Sequence, residues 1–352
     1  MMEFGTFMEF HSRDGISQED AFKESFHHVD LAEELGLDGI WLAESHFTPS
    51  RAVLSAPLIM ASAISGRTKR IKIGTAVHVL PLGNPLRIAE QVATLDHISN
   101  GRFEFGVGRS GSPGSYEGYN IAYAESRERF YESLEIISTA FKNDVFSYHG
   151  KYFKFTDVCL TPKPLQTPYP PMRVAATTSD TFPVLGNKGA PIFVGVRNLP
   201  LKDVTEQVRS YRQAFKEAGN DPINNKVALR VPVHVAKSTK TALENSEESF
   251  MRQFKRLGKQ LESSAKKATA DSSEDRLNRS NLLANTQWNE IQGEKVAVGD
   301  PDTVIKQLKH MSTELGLDGI IAEFNAGELI SRENVEDSIK LFCKEVIPEF
   351  RK

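Results

Sequence analysis

The chain has 352 residues, of which 39% are hydrophobic and 25% charged, with a net charge of −3. This length suits one large barrel or two average domains, and the small net charge gives no reason to expect nucleic acid or an anionic membrane as partner. Its two cysteines, Cys159 and Cys343, lie in no metal-ligand spacing and exclude a disulfide framework. The N-terminus shows no signal pattern, and no apolar run approaches the roughly 20 residues that span a bilayer. A cytoplasmic protein without a metal centre is therefore expected.

Short apolar runs alternate with longer amphipathic ones along the chain. Residues 4–10 read as a strand, and 18–35 as a helix that stops at Gly36, a natural residue past a helix end. Strands follow at 37–43, 71–80 and 102–107, with helices at 56–65, 86–98 and 126–141 between and after them. The runs 146–148 and 152–155 form a hairpin insertion. Pro162, Pro164, Pro168, Pro170 and Pro171 mark an extended connection. Beyond it, strands are expected at 173–176, 191–196, 226–236 and 317–324, with helices at 181–188, 201–218, 241–257, 302–315 and 333–345.

Eight strands, each followed by helical material, predict a single (β/α)8 TIM barrel over residues 1–352. The heptapeptide Glu-Leu-Gly-Leu-Asp-Gly-Ile occurs twice, at 34–40 and 314–320. Both copies are read as corners where a helix ends and a strand begins. One stretch breaks the alternation. Residues 259–292 are polar and rich in Ser, Asn and Lys, and they follow the seventh strand. A mobile loop that closes over the catalytic face is expected there.

No P-loop, His-Glu-x-x-His or Gly-x-Ser-x-Gly motif occurs. Barrel enzymes keep their chemistry at the C-terminal ends of the strands, which directs attention to four stretches. These are Glu44-Ser45-His46-Phe47, Thr75-Ala76-Val77-His78, Gly106-Val107-Gly108-Arg109-Ser110-Gly111 and Ala175-Ala176-Thr177-Thr178-Ser179. Arg109 among glycines offers a guanidinium fork to a phosphate. The Thr177–Ser179 hydroxyls open a helix, whose free N–H groups bind anions. The same hydroxyls could serve only to cap that helix.

The run from Trp41 to Arg109 resembles the bacterial luciferase-like family of flavin-dependent monooxygenases. The similarity is carried by Trp41-Leu42-x-Glu44-x-His46-Phe47-Thr48, by Ile73-Gly74-Thr75-Ala76 with Asn84-Pro85-Leu86-Arg87, and by Gly101-Arg102-Phe103-x-Phe105-Gly106-x-Gly108-Arg109. Phe4-Gly5-x-Phe7 and Val298-Gly299-Asp300-Pro301 extend it. The resemblance implies a dimeric barrel that receives reduced FMN (FMNH2) from a separate NAD(P)H:flavin reductase. It also implies that the flavin reacts with O2 to give a C4a-hydroperoxide, which oxygenates a small organic substrate such as an aldehyde.

Carried over residue by residue, the resemblance gives Arg109 and Thr177, Thr178 and Ser179 to the FMN phosphate. Ala175 and Ala176 lie beside them. Ala76 and Val77 match a turn under the isoalloxazine ring that holds a cis peptide in relatives, and Glu44 and His46 match the active-site wall. Phe7, Phe10 and Phe47 are expected to supply apolar wall that keeps water out. Two positions depart from luciferase itself. Ser45 stands where luciferase has a histidine base, so either His46 takes over or no such base is needed, and light emission is not expected. Gly108 stands where luciferase has a reactive cysteine; the glycine removes that thiol and is expected to let the backbone approach the flavin. An F420-dependent oxidoreductase on the same fold and a flavin-binding protein without turnover are the alternative readings.

Overall fold

Nearly every residue of the barrel strands is buried, so each strand is covered inside and out. The computed structural model describes residues 2–197, 199–267 and 270–352 and achieves this with a closed barrel. The strands in chain order are β1 (Glu3–Met8), β2 (Gly39–Leu42), β3 (Lys72–Thr75), β4 (His78–Val79) and β5 (Phe103–Gly108). They continue with β6 (Phe146–His149), β7 (Lys154–Val158), β8 (Met172–Ala175), β9 (Ile192–Gly195), β10 (Val227–Val235), β11 (Ala297–Gly299) and β12 (Gly319–Glu323). Parallel pairing runs β1-β2-β3-β5-β8-β9-β10-β12 and returns to β1, with Phe4 opposite Ile320 at the closure. The eight predicted strands are these eight.

The helices are α1 (Gln18–Glu34), α2 (Pro57–Arg67), α3 (Pro85–Ile98), α4 (Pro113–Gly118), α5 (Ser126–Lys142) and α6 (Thr181–Asn187). After them come α7 (Leu201–Glu217), α8 (Thr239–Ala265), α9 (Ala270–Asn285), α10 (Trp288–Ile291), α11 (Pro301–Leu315) and α12 (Arg332–Leu341). One large apolar cluster fills the space between the strands and the surrounding helices. A smaller one, Phe7, Trp41, Ala43, Phe193, Ala228 and Ile321, plugs the barrel interior. Trp41 fits there because glycines face it: a Cβ on Gly74 would lie 2.4 Å from the indole, and one on Gly5 2.7 Å.

The repeated heptapeptide builds the same corner twice. Gly36 and Gly316 take left-handed backbone, with φ of +82° and +59°. The aspartate that follows then caps the preceding barrel strand. Asp38 accepts from the Phe4 N–H at 2.8 Å, and Asp318 accepts from the Val227 N–H at 3.0 Å.

Several boundaries shift from expectation. The third strand breaks at Ala76 and resumes as β4 before a short 3-10 turn at Leu80–Leu82. The hairpin is the antiparallel pair β6–β7. The short strand β11, unforeseen, pairs with the far end of β10.

The largest correction concerns residues 259–292. Among the described residues this stretch is mainly helical: α8 runs on to Ala265, and α9 and α10 follow. Its strong helix formers override its polarity. The helix pair α8–α9 meets partly through small residues. Ser280 Oγ donates to the Gly258 carbonyl at 2.9 Å, and the Leu283 Cβ lies 3.5 Å from where a Gly258 Cβ would stand. Its position after the seventh barrel strand is as predicted. Among the described residues no helix is long and apolar enough to cross a membrane.

Candidate active site

The C-terminal ends of the strands open into a cavity of about 620 Å³. The interior apolar plug forms its floor through Phe7, Ala43, Phe193 and Ile321. Its roof comes from α8 and α9, which contribute Gln253, Lys259, Gln260, Arg276 and Arg279. Arg279 Nη1 donates to the Thr177 carbonyl at 3.0 Å, and Arg276 Nη1 to the Tyr123 hydroxyl at 2.7 Å. The helix pair thus reaches across the mouth and is fastened on the β5 and β8 side.

On that side Arg109 leaves β5 and points into the cavity with Thr177 and Thr178 from the end of β8. Its guanidinium makes one long hydrogen bond, 3.5 Å to Ser126 Oγ. Among the described residues no carboxylate pairs with it. A cation in a cavity without a counter-ion suits an anionic ligand. Arg127, which sequence reasoning missed, lines the same end and pairs with exposed Asp180 at 2.5 Å. Ser179 is exposed and lies outside the cavity wall. The anion-binding helix expected here is also weaker than supposed: α6 begins only at Thr181, spans seven residues and has Asp180 before it. What this wall offers an anion is hydroxyls and guanidinium groups, not a helix end.

Ala76 and Val77 line the cavity next to this wall, and the peptide bond between them is cis. Gly108 is buried beneath them. A Cβ there would come within 2.4 Å of Val77 Cγ2, and one on Gly106 within 1.7 Å of the Thr75 carbonyl oxygen. Residues 106–111 have the spacing Gly-x-Gly-x-x-Gly, yet the first two glycines make room for neighbouring protein, not for a phosphate. A side chain at Gly108 should therefore destabilise this wall. Gly108→Cys is expected to cost about 1–3 kcal/mol by overpacking, read as a lowered thermal midpoint; an unchanged midpoint would contradict this packing role.

Beside that wall, the end of β2 presents a chain of hydrogen-bonding groups. His46 Nε2 lies 2.8 Å from Glu44 Oε1, and His78 Nδ1 lies 2.7 Å from Glu44 Oε2. The Val79 N–H donates to Glu44 Oε2 at 3.0 Å. Burial alone would raise the Glu44 pKa, but the charge of His78, the His46 hydrogen bond and the Val79 N–H together hold it down at about 2. The far nitrogen of His46, Nδ1, lies 3.2 Å from the Tyr119 hydroxyl. Tyr119 carried no signal in the sequence, because it comes from the connection after α4. Glu44, Ser45 and His46 all line the cavity. His78 touches Glu44 directly.

The apolar wall is only partly as expected. Phe7 lines the cavity. Phe10 instead packs edge-on against Phe22 and Phe26 of α1. Phe47 is 63% exposed and leans on Tyr119 at the rim.

A second charged cluster, also missed, occupies the β1, β10 and β12 side. Glu9 takes Arg51 at 3.0 Å (Nε) and 2.5 Å (Nη2), and Glu323 takes Arg230 at 3.0 Å (Nε) and 2.8 Å (Nη2). The Arg230 guanidinium stacks 3.2 Å above the Phe7 ring. Burial works against the carboxylate of Glu9, but Arg51 and Arg230 overcome it and keep it well below the usual range. A charged residue within an apolar strand, as at Arg230, was the available signal.

The family profile described as luciferase-like monooxygenase matches residues 2–319. The chain is 31% identical to an uncharacterized protein of Sinorhizobium fredii over 65% of this chain and 65% of that one. It thus spans slightly less than two thirds of that relative's length. Against the alkanal monooxygenase alpha chain of Photobacterium leiognathi it is 26% identical over 91% of each chain. Solved structures share the fold. Monooxygenase RslO1 from Streptomyces bottropensis superposes with a TM-score of 0.81 at 23% identity, covering 99% of this chain and 100% of that one. The oxygenating constituent of 3,6-diketocamphane monooxygenase of Pseudomonas putida, solved with FMN, superposes at 0.78 and 20% identity, covering 99% and 98%. An F420-dependent secondary alcohol dehydrogenase does so at 0.76 and 17% identity, covering 100% and 99%.

Proposed function

The chain belongs to the luciferase-like monooxygenase family, and from that premise we propose that it uses reduced FMN and O2 to oxygenate a small organic substrate, such as an aldehyde, without emitting light. The observation that carries this reading is Arg109, a guanidinium without a carboxylate partner among the described residues, standing with Thr177 and Thr178 at one end of a large, partly apolar cavity. Those residues fit a phosphate, and Ala76, Val77, Val174 and Ala176 offer apolar surface to a ring system beside it. When bound, the flavin would supply the oxygen-activating chemistry.

The chain's own residues bind, shield and move protons. Arg109, Arg127 and the threonine hydroxyls hold the phosphate end. The α8–α9 roof and the Phe7, Phe193 and Ile321 floor keep water away from the reacting centre. Glu44 fixes the proton of His46 on Nε2, which leaves Nδ1 as the atom that can take a proton, with the Tyr119 hydroxyl beside it. Ser45, in the wall next to His46, is a poor base near neutral pH.

A separate NAD(P)H:flavin reductase would deliver the reduced flavin, and two copies of this chain are the simplest assembly. The protein should therefore turn over when mixed with NADPH, FMN, a flavin reductase and decanal. Fatty acid above the protein-free control is the expected result. Aldehyde loss without product would remove the aldehyde reading. Tight flavin retention with no product from a panel of substrates would favour a binding protein without turnover.

A further inference from the structure

The charged cluster on the β1, β10 and β12 side does not balance. Three guanidinium groups, Arg51, Arg197 and Arg230, face two carboxylates, Glu9 and Glu323. Arg51 occupies both oxygens of Glu9, and Arg230 both oxygens of Glu323. Arg197 is left with an approach of 3.7 Å to Glu323 Oε2, beyond hydrogen-bond reach. The neighbouring carboxylate offers no relief, since Glu328 is held by Arg256 at 2.6 and 2.8 Å, with Arg252 and His11 at 3.9 and 3.7 Å.

Arg197 lines the cavity with its side chain only 19% exposed. Burial, together with the charge of Arg230 beside it, pushes its pKa down to about 10, still cationic at neutral pH. A buried cation is costly unless an anion meets it. Next to it Gln253 donates Nε2 to Glu323 Oε1 at 2.7 Å, while its own Oε1 is buried and has no hydrogen-bond partner among the described residues. Beside Glu323 this wall thus carries, among the described residues, a guanidinium with no hydrogen-bonded carboxylate and an unused amide acceptor. In the ring of barrel strands Glu9, Arg230 and Glu323 lie across from Arg109 at the end of β5, whereas Arg197 follows β9, between β8 and β10, and its approach to Glu323 turns it toward that far side.

We propose that Arg197 is an anion subsite for the organic substrate: beyond simple aldehydes, the enzyme takes small organic acids whose carboxylate pairs with Arg197, with a neighbouring hydroxyl or N–H donating to Gln253 Oε1. This specifies the substrate class of the flavin reading and rests on it for the chemistry, but not for the binding. Phe7, Phe193 and Ile321 would cover the apolar body of the acid.

The test uses acetate, benzoate and octanoate, each against its uncharged amide, titrated calorimetrically into the flavin-free protein. At least one acid should bind about tenfold or more tighter than its amide, as a charge-assisted pair requires. Arg197→Gln should abolish that preference and Arg197→Lys should keep part of it. FMN affinity, measured separately by fluorescence quenching, should be the same in wild type and both variants. The proposal is overturned if no acid is preferred over its amide, or if Arg197→Gln retains the preference. It is equally overturned if Arg197→Gln weakens FMN while leaving acid binding intact. Failure of FMN to bind the wild type, with acid preference present, would count against the cofactor reading alone.

Discussion

Arg109→Ala is expected to weaken binding of reduced FMN at least about tenfold, the order of one charge-assisted contact to a phosphate. Arg109 is suited to this role because no charged group among the described residues claims it; the one hydrogen bond its guanidinium makes among them is the 3.5 Å approach to Ser126. Removing it therefore breaks no internal ion pair, and the fold should be unaffected. Arg127→Ala should cost less, because Arg127 is half exposed and already shared with Asp180. Titration of both variants by flavin fluorescence checks the ranking. Unchanged affinity in Arg109→Ala would remove the phosphate assignment.

Glu44→Gln is expected to lower turnover about a hundredfold, within the usual range for loss of a positioned proton-transfer group, while FMN affinity stays within about twofold. The amide can present its N–H to His46 Nε2, which drives the imidazole proton to Nδ1 and removes the free acceptor there. His46→Ala should lose activity similarly, and the double variant little more, because the two residues act as a unit. Equal losses of turnover and flavin affinity would make Glu44 a structural residue instead.

The same carboxylate predicts an acid limb in stability. Its folded pKa, about 2, lies below the ordinary value of 4.5. The unfolded chain then binds the proton more readily, so the stabilisation is complete above pH 4.5 and is lost as pH falls toward 2. Glu44→Gln should flatten that limb in chemical-denaturation measurements between pH 4.5 and 2.5.

The barrel was legible because its signals are local. Each strand is a short apolar run, each helix has its own period, and Gly36 with Asp38 spells out a corner within three residues. The charged wall was not legible, because Glu9, Arg51, Arg197, Arg230 and Glu323 come from separate parts of the chain and meet only when the barrel closes. Tyr119 was hidden for the same reason. The α8–α9 roof was misread for a different one. Its contact surface includes Gly258 and Ser280, and small residues in a polar run give periodicity little to detect. The candidate phosphate wall stands between these cases. Arg109 was visible at a strand end, whereas the exposure of Ser179 and the interposed Asp180 depend on where α6 begins.

Anaerobic titration of the wild-type protein with reduced FMN and, separately, with reduced F420 addresses the cofactor most directly. Saturable binding of reduced FMN, at least about tenfold tighter than F420 and weakened by Arg109→Ala, is the predicted result. Tighter binding of F420, or no saturable binding of FMN, would contradict the account.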